Sequence, residues 1–288
     1  MKNVLVPTDF SDNALKATIY AAEMAKLSGA KIHFLHAARM GNEKISNPAS
    51  IFERYNNLVL EESNGKLVAL KELVEHNYGE LEIEMHVDPD SDIAEAINNY
   101  SNNNHVDLVV MGTQGASGIK SVIIGSVAAS VMAQSRIPVL SIPADFMPRQ
   151  PSSFLFATNH FEEDLTLLNP LAQLINLFSA QLQVAVFLDK ERSDAADHTS
   201  NMKKMESYTR FLKKLLPATL IDTKVIEGDD VEHALELYSL RNDIDIIALI
   251  SYPKSFMEKL FQKSVTRKMA FHSKIPVFSI PKLNSENS

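Results

Sequence analysis

The sequence predicts an α/β protein of two tandem doubly wound domains, each a five-stranded parallel sheet of order 3-2-1-4-5 flanked by helices. Three observations carry this. Short β-branched runs alternate with helical patterns along the whole chain, the second half restates the first, and both halves end in the same phrase, IPV followed by SIP. Strand alternating with helix calls for right-handed crossovers, which lay consecutive strands parallel.

In the first half, KNVLVP (2–7) is a short run ending at a proline, and KIHFLHA (31–37) is a second strand of similar length. ELEIEMHV (80–87) alternates, and VDLVVM (106–111) and PVLSIP (138–143) supply the fourth and fifth strands. Between them, 11–28 places Ala14, Ala17, Tyr20, Ala21 and Ala25 on one helical face. Further helices are expected at 51–77, 91–102 and 126–135.

The repeat can be counted. Residues 87–143 laid without gaps on 225–281 agree at 17 of 57 positions, including Ile137-Pro138-Val139 against Ile275-Pro276-Val277. At the front of each copy the offset is 150, pairing Leu5 with Leu155 and Thr8 with Thr158. Because the later offset is 138, the second copy is 12 residues shorter between its second and third strands. A duplication gives domains 1–146 and 152–288, joined through FMPRQPSS, whose prolines and polar residues read as a linker.

Composition narrows the function. A length of 288 residues suits two domains, and a hydrophobic content of 45% with 22% charge is that of an ordinary globular chain. The formal charge of −8 argues against a general nucleic-acid or anionic-membrane surface. With no cysteine, disulfides, thiol catalysis and thiolate metal sites are excluded. Met1-Lys2-Asn3 runs straight into VLVP, too short for a signal peptide, and Ser121–Ser135 is too short and polar to span a bilayer, so the expected location is the cytoplasm.

Four of the nine glycines fall between positions 112 and 125. In a sheet of order 3-2-1-4-5 a ligand belongs beyond the carboxyl ends of the first and fourth strands, where the order reverses. PTDFS (7–11) follows the first strand and the glycine run follows the fourth. Gly112 and Gly115 permit tight turns with exposed N–H groups, while Gly125 and Ser126 open a helix whose unpaired N–H groups favour an anion. A phosphate chain is the natural guest. The spacing excludes a Walker loop, because Gly118-Ile119-Lys120-Ser121 carries an extra residue, and it excludes a Rossmann fingerprint, because no glycine follows the first strand.

What remains, Gly112-x2-Gly115-x9-Gly125-Ser126 after a strand ending in Met111, resembles the nucleotide-binding signature of the universal stress protein family. VLVPTDFS at the start and RIPVLSIP at the end strengthen the likeness, and the whole looks like a tandem member. The resemblance implies a nucleotide-binding, stress-response or regulatory module that takes ATP or ADP, alone or with Mg. It implies that Pro7, Thr8, Asp9 and Ala37 hold the adenosine, and that Met111, Gly112, Gly115, Gly125, Ser126 and Val127 wrap the phosphates. The residue chemistry agrees: a short carboxylate at a strand end accepts from ribose hydroxyls or an adenine amine, and a hydroxyl at a helix start donates to phosphate. The resemblance also implies that PVLSIP and PVFSIP pair about a two-fold axis, so the halves are expected to pack as a pseudo-dimer, with homodimerisation open to the whole chain.

The second copy keeps the frame and loses the motif. Gly112, Gly115 and Gly125 become Ile250, Pro253 and Lys263, Asp9 becomes Asn159, and Ser264 alone survives. Plainer roles stand beside these readings. Loop glycines can serve only a turn, Asp9 can cap a helix beginning near Phe10, and Lys120 can be a solvated loop charge. His33 and His36 have the look of a metal pair, yet three residues apart on a strand they face opposite sides. No nucleophile elbow or nucleotidyl-transfer loop is present, so catalysis is not indicated beyond weak ATP hydrolysis. A structural or interaction protein with both sites empty and a slow ATPase are the alternatives.

Overall fold

A computed structural model describes residues 1–38, 49–89, 92–114, 126–252 and 273–283. The chain divides into two compact units, Met1–Ile137 and Pro138–Ser288.

The first unit carries β1 (Asn3–Pro7), α1 (Asp12–Ser28), β2 (Lys31–Ala37), α2 (Ala49–Tyr78), β3 (Ile83–Asp88), α3 (Ile93–Asn103), β4 (Leu108–Gly112) and α4 (Ser126–Gln134). Its strands run in the order β3-β2-β1-β4, all parallel, with Val4 opposite Ile32 on one side and Leu108 on the other. Right-handed crossovers put α1 and α2 on one face, where they pack together, and α3 and α4 on the other. Central β1 is buried on both faces, which is why it reads as a continuous apolar run, whereas edge strand β3 is largely exposed and alternates. Small residues let α1 lie close to the sheet, with Ala17, Ala21, Ala22 and Met24 fully buried. Gly29 ends α1 at φ 68°, a left-handed cap that suits glycine.

The second unit begins with β5 (Val139–Ile142), then β6 (Ser153–Ala157), α5 (Leu165–Phe178), β7 (Gln181–Asp189), α6 (Ala195–Leu215), β8 (Ile221–Gly228), α7 (Val231–Arg241), β9 (Ile246–Ser251) and β10 (Val277–Pro281). Here the order is β8-β7-β6-β9-β10-β5. Strand β5 is the antiparallel member, pairing Ser141 with Val277 and Val139 with Ser279, as expected for the two PV-x-SIP segments. The pairing also explains why the compact units divide after Ile137, ahead of the Pro/Ser-rich stretch that marks the boundary in sequence. Arg149 and the start of β6 belong to the second unit as well: the buried Asp245 carboxylate meets the Arg149 guanidinium and accepts from the N–H groups of Ser152 and Ser153.

The 12-residue shortening falls where the offsets locate it, between β7 and β8, with α6 spanning 21 residues against 30 in α2. No helix among the described residues is long and apolar enough to cross a membrane.

Candidate functional site

At the carboxyl end of β1 the chain is pinned before it enters α1. The Thr8 N–H donates to Leu35 O at 2.9 Å, and the His36 ring, through Nδ1, donates to Thr8 O at 2.8 Å. Because that partner is a carbonyl, Nδ1 bears the proton. Thr8 Oγ1 accepts from Phe10 N–H at 3.0 Å and Asp9 Oδ1 from Ser11 N–H at 3.1 Å. These bonds hold Phe10 at φ 63°, a strained conformation for a bulky side chain. Its ring lies 4.6 Å from that of His36, with the Lys66 ammonium 5.7 Å from the Phe10 centroid. The helix cap is Ser11, whose Oγ accepts from Ala14 N–H, and the helix begins at Asp12. Asp9 therefore does not cap α1. It is exposed, two residues beyond the strand end.

Strand β4 delivers the other side. Met111 is buried and Gly112 ends the strand directly over the first turn of α1. A Cβ on Gly112 would lie 2.8 Å from both Cγ and Oδ1 of Asn13, so no larger residue fits without displacement. Asn13 is itself buried, and its Oδ1 accepts from Gln114 N–H at 2.7 Å. Gly112 thus has a packing reason to be glycine. Pro7, Thr8, Asp9, Ala37, Met111 and Gly112 gather at one end of three neighbouring strands. Gly115 and Gly125, with Gly118 and Lys120, lie outside the described residues. Ser126 opens α4 without a described side chain, and Val127 is partly exposed there.

Sequence reasoning missed Asn13, Phe10 and Ser11 and weighed His36 only as half of a metal pair. The signal for Asn13 was available: an amide at a position facing the sheet, next to Ala14 and one turn before Ala17. The two histidines part as strand geometry requires. His33 is buried against Tyr100 of α3 and Asn3, while His36 turns to Thr8 and Phe10. Among the described residues no group of three His, Asp or Glu side chains could hold a metal ion.

In the second unit the corresponding position is satisfied from within. The Asn159 amide donates to Phe187 O at 2.9 Å and accepts from Phe187 N–H at 3.0 Å, and Phe187 stands where the first copy has Ala37. Helix α5 starts at Leu165 with Asp164 as its cap, three residues later than the repeat dictates. The residues so released fold onto the unit. Phe161 packs edge-on to Tyr208, and the Glu162 carboxylate accepts from the Tyr252 hydroxyl and the Lys282 ammonium, each at 2.8 Å. Tyr208 donates to the Glu162 backbone carbonyl. Burial, then the hydrogen bond to Glu162, push the Tyr252 hydroxyl well above the usual tyrosine range, so it stays a donor. Ile250 replaces Gly112, while Pro253, Lys263 and Ser264 lie outside the described residues.

Comparison with known proteins agrees with this architecture. The universal stress protein family model matches residues 1–143. A universal stress protein of Methanocaldococcus jannaschii is 29% identical over 147 residues, covering 49% of this chain and 81% of the relative. The universal stress protein YxiE of Bacillus subtilis is also 29% identical, over 146 residues, covering 48% of this chain and 97% of its own. In structure, a universal stress protein from Archaeoglobus fulgidus superposes with a TM-score of 0.73 at 19% identity, over 97% of this chain and 98% of that one. Through its first half, residues 1–143, the chain belongs to the universal stress protein family, and its second half restates the same strand order.

Proposed function

We propose that the first unit binds an adenine nucleotide, ATP or ADP, at the carboxyl ends of β1 and β4, one per chain, and that the protein acts as a stress-response or regulatory module. The observation that carries this is the contrast between the copies. The first pairs an exposed Asp9 with the glycine pattern after β4, while the second replaces both and fills the same location with Asn159 and Glu162. On this reading the Asp9 carboxylate accepts from ribose hydroxyls or the adenine amine beside Pro7, Thr8 and Ala37. The phosphates take backbone N–H groups of the Gly112–Val127 segment, aided by the positive end of α4. With no acidic cage among the described residues, an accompanying Mg would be carried by phosphate oxygens and water.

Calorimetric titration of the full chain with ATP tests the reading. One site per chain is expected. Two equivalent sites, or no saturable heat, would overturn it, and steady phosphate release abolished by Asp9→Ala would shift the assignment to a slow ATPase.

A further inference from the structure

Resting on the nucleotide reading, we propose that Asn13 is a positioning residue that sets where the phosphate end of the ligand is held, through the course of the chain as it leaves β4. Asn13 sits in the first turn of α1 at 5% exposure, on the face that otherwise offers Ala14, Ala17 and Ala21 to the sheet. A buried amide there costs free energy unless its polar atoms are used. Its Oδ1 accepts from Gln114 N–H at 2.7 Å, a bond made across 101 residues of sequence to the segment just past β4. The same residue meets Gly112 so closely that an added Cβ would fall 2.8 Å from its side-chain Cγ and Oδ1 and 3.0 Å from its backbone carbonyl carbon. The exit of β4 is therefore gripped twice, once by a hydrogen bond at 114 and once by steric fit at 112.

The second copy shows what releases the grip. With α5 starting three residues late, Glu163 takes the place of Asn13 by repeat position but lies ahead of the helix, and Ile250 replaces Gly112. The asparagine and the glycine are lost together with the start of the helix, as a coupled pair should be. Asp9 and Ala37 sit at the ends of β1 and β2 instead. Loss of Asn13 should thus weaken the hold on phosphates and spare the hold on adenosine, which a general loss of stability would not do.

The experiment is displacement of a fluorescent ATP analogue from the full chain by ATP and, separately, by adenosine, in wild type, Asn13→Ala, Gly112→Ala and Asp9→Ala. Asn13→Ala should raise the ATP Kd about tenfold, the effect of one backbone hydrogen bond, and the adenosine Kd less than about twofold. Gly112→Ala should change the ratio in the same direction, and Asp9→Ala should weaken both ligands by similar factors. Asn13→Ala acting on both ligands in proportion, or leaving ATP unchanged, overturns the positioning role while the nucleotide reading stands. If wild type binds neither ligand, the nucleotide reading falls and takes the positioning role with it.

Discussion

The loops that follow the first strand of each copy begin alike and end differently. In both, a threonine N–H returns to the neighbouring strand, Thr8 to Leu35 and Thr158 to Ala185. Both then place a phenylalanine in the left-handed region, Phe10 at φ 63° and Phe161 at 52°. From there the first copy enters its helix at once, with Ser11 as cap, and tethers the loop to β2 through His36. The second ties the loop to β7 through Asn159, delays its helix by three residues and spends them on the Glu162–Tyr252–Lys282 network. An amide can both donate and accept, so Asn159 closes on the backbone of Phe187. A carboxylate only accepts, so Asp9 cannot make that closed pair with Ala37. The same position thus closes on the neighbouring strand in the second copy and turns to the Ser11 N–H in the first.

The largest test imports the second copy's residue into the first. Gly125→Lys copies Lys263, so it should change stability by no more than about 1 kcal/mol in a thermal melt. ATP affinity should fall at least about a hundredfold, since two or three N–H contacts to charged phosphate are each worth roughly 1.5–3 kcal/mol. A variant that melts normally and binds at wild-type strength would remove the glycine segment from the site. Asp9→Asn, which copies Asn159, is expected to cost about tenfold in the same titration, because the new amide can close onto Ala37 while keeping one bond to the ligand. Unchanged affinity would detach Asp9 from the adenosine.

The reverse exchange, Asn159→Asp, should create no nucleotide binding in the second unit, because Glu162 and Tyr252 remain. It should cost about 1 kcal/mol of stability by setting a carboxylate against Phe187 O. A second calorimetric site in this variant would show that one atom alone had closed the second copy.

The elements of the fold were legible in the sequence. The second strand, 31–37, is placed to the residue, and the other first-half elements to within three, because period and punctuation are local signals. The long-range features were not. Nothing near Gly112 announces Asn13, which reaches it only once α1 is laid under β4. The late start of α5 was invisible because Asp164 caps as well as Ser11 does, and the repeat offset had suggested no change there. That β5 pairs with β10 was implied by the family resemblance of the two PV-x-SIP strands, and that pairing counts β5 with the second compact unit.

The smallest predicted effect concerns a buried pair that the two copies build differently. In the first, Tyr100 meets His33. In the second, the corresponding Tyr238 hydroxyl donates to Gln183, which cannot titrate. Burial lowers the His33 pKa, and it outweighs the opposing pull of the half-exposed Glu84 carboxylate, 3.1 Å from Nδ1. Nε2 lies 3.2 Å from Asn3 Oδ1, and Nδ1 is within reach of both the Tyr100 hydroxyl and the Glu84 carboxylate. A histidine whose folded pKa lies below its unfolded value of about 6.5 binds more protons unfolded. Its contribution is therefore complete above that value and is lost as pH falls through it towards the folded pKa. His33→Gln copies Gln183 and removes this dependence. Between pH 7.5 and 5.5 the wild-type Tm should fall further than that of His33→Gln, by about 2 °C or less for one group in a chain of this size. A wild-type Tm that falls less than that of His33→Gln would mean that the carboxylate of Glu84, rather than burial, governs His33, and parallel profiles would mean that the two balance.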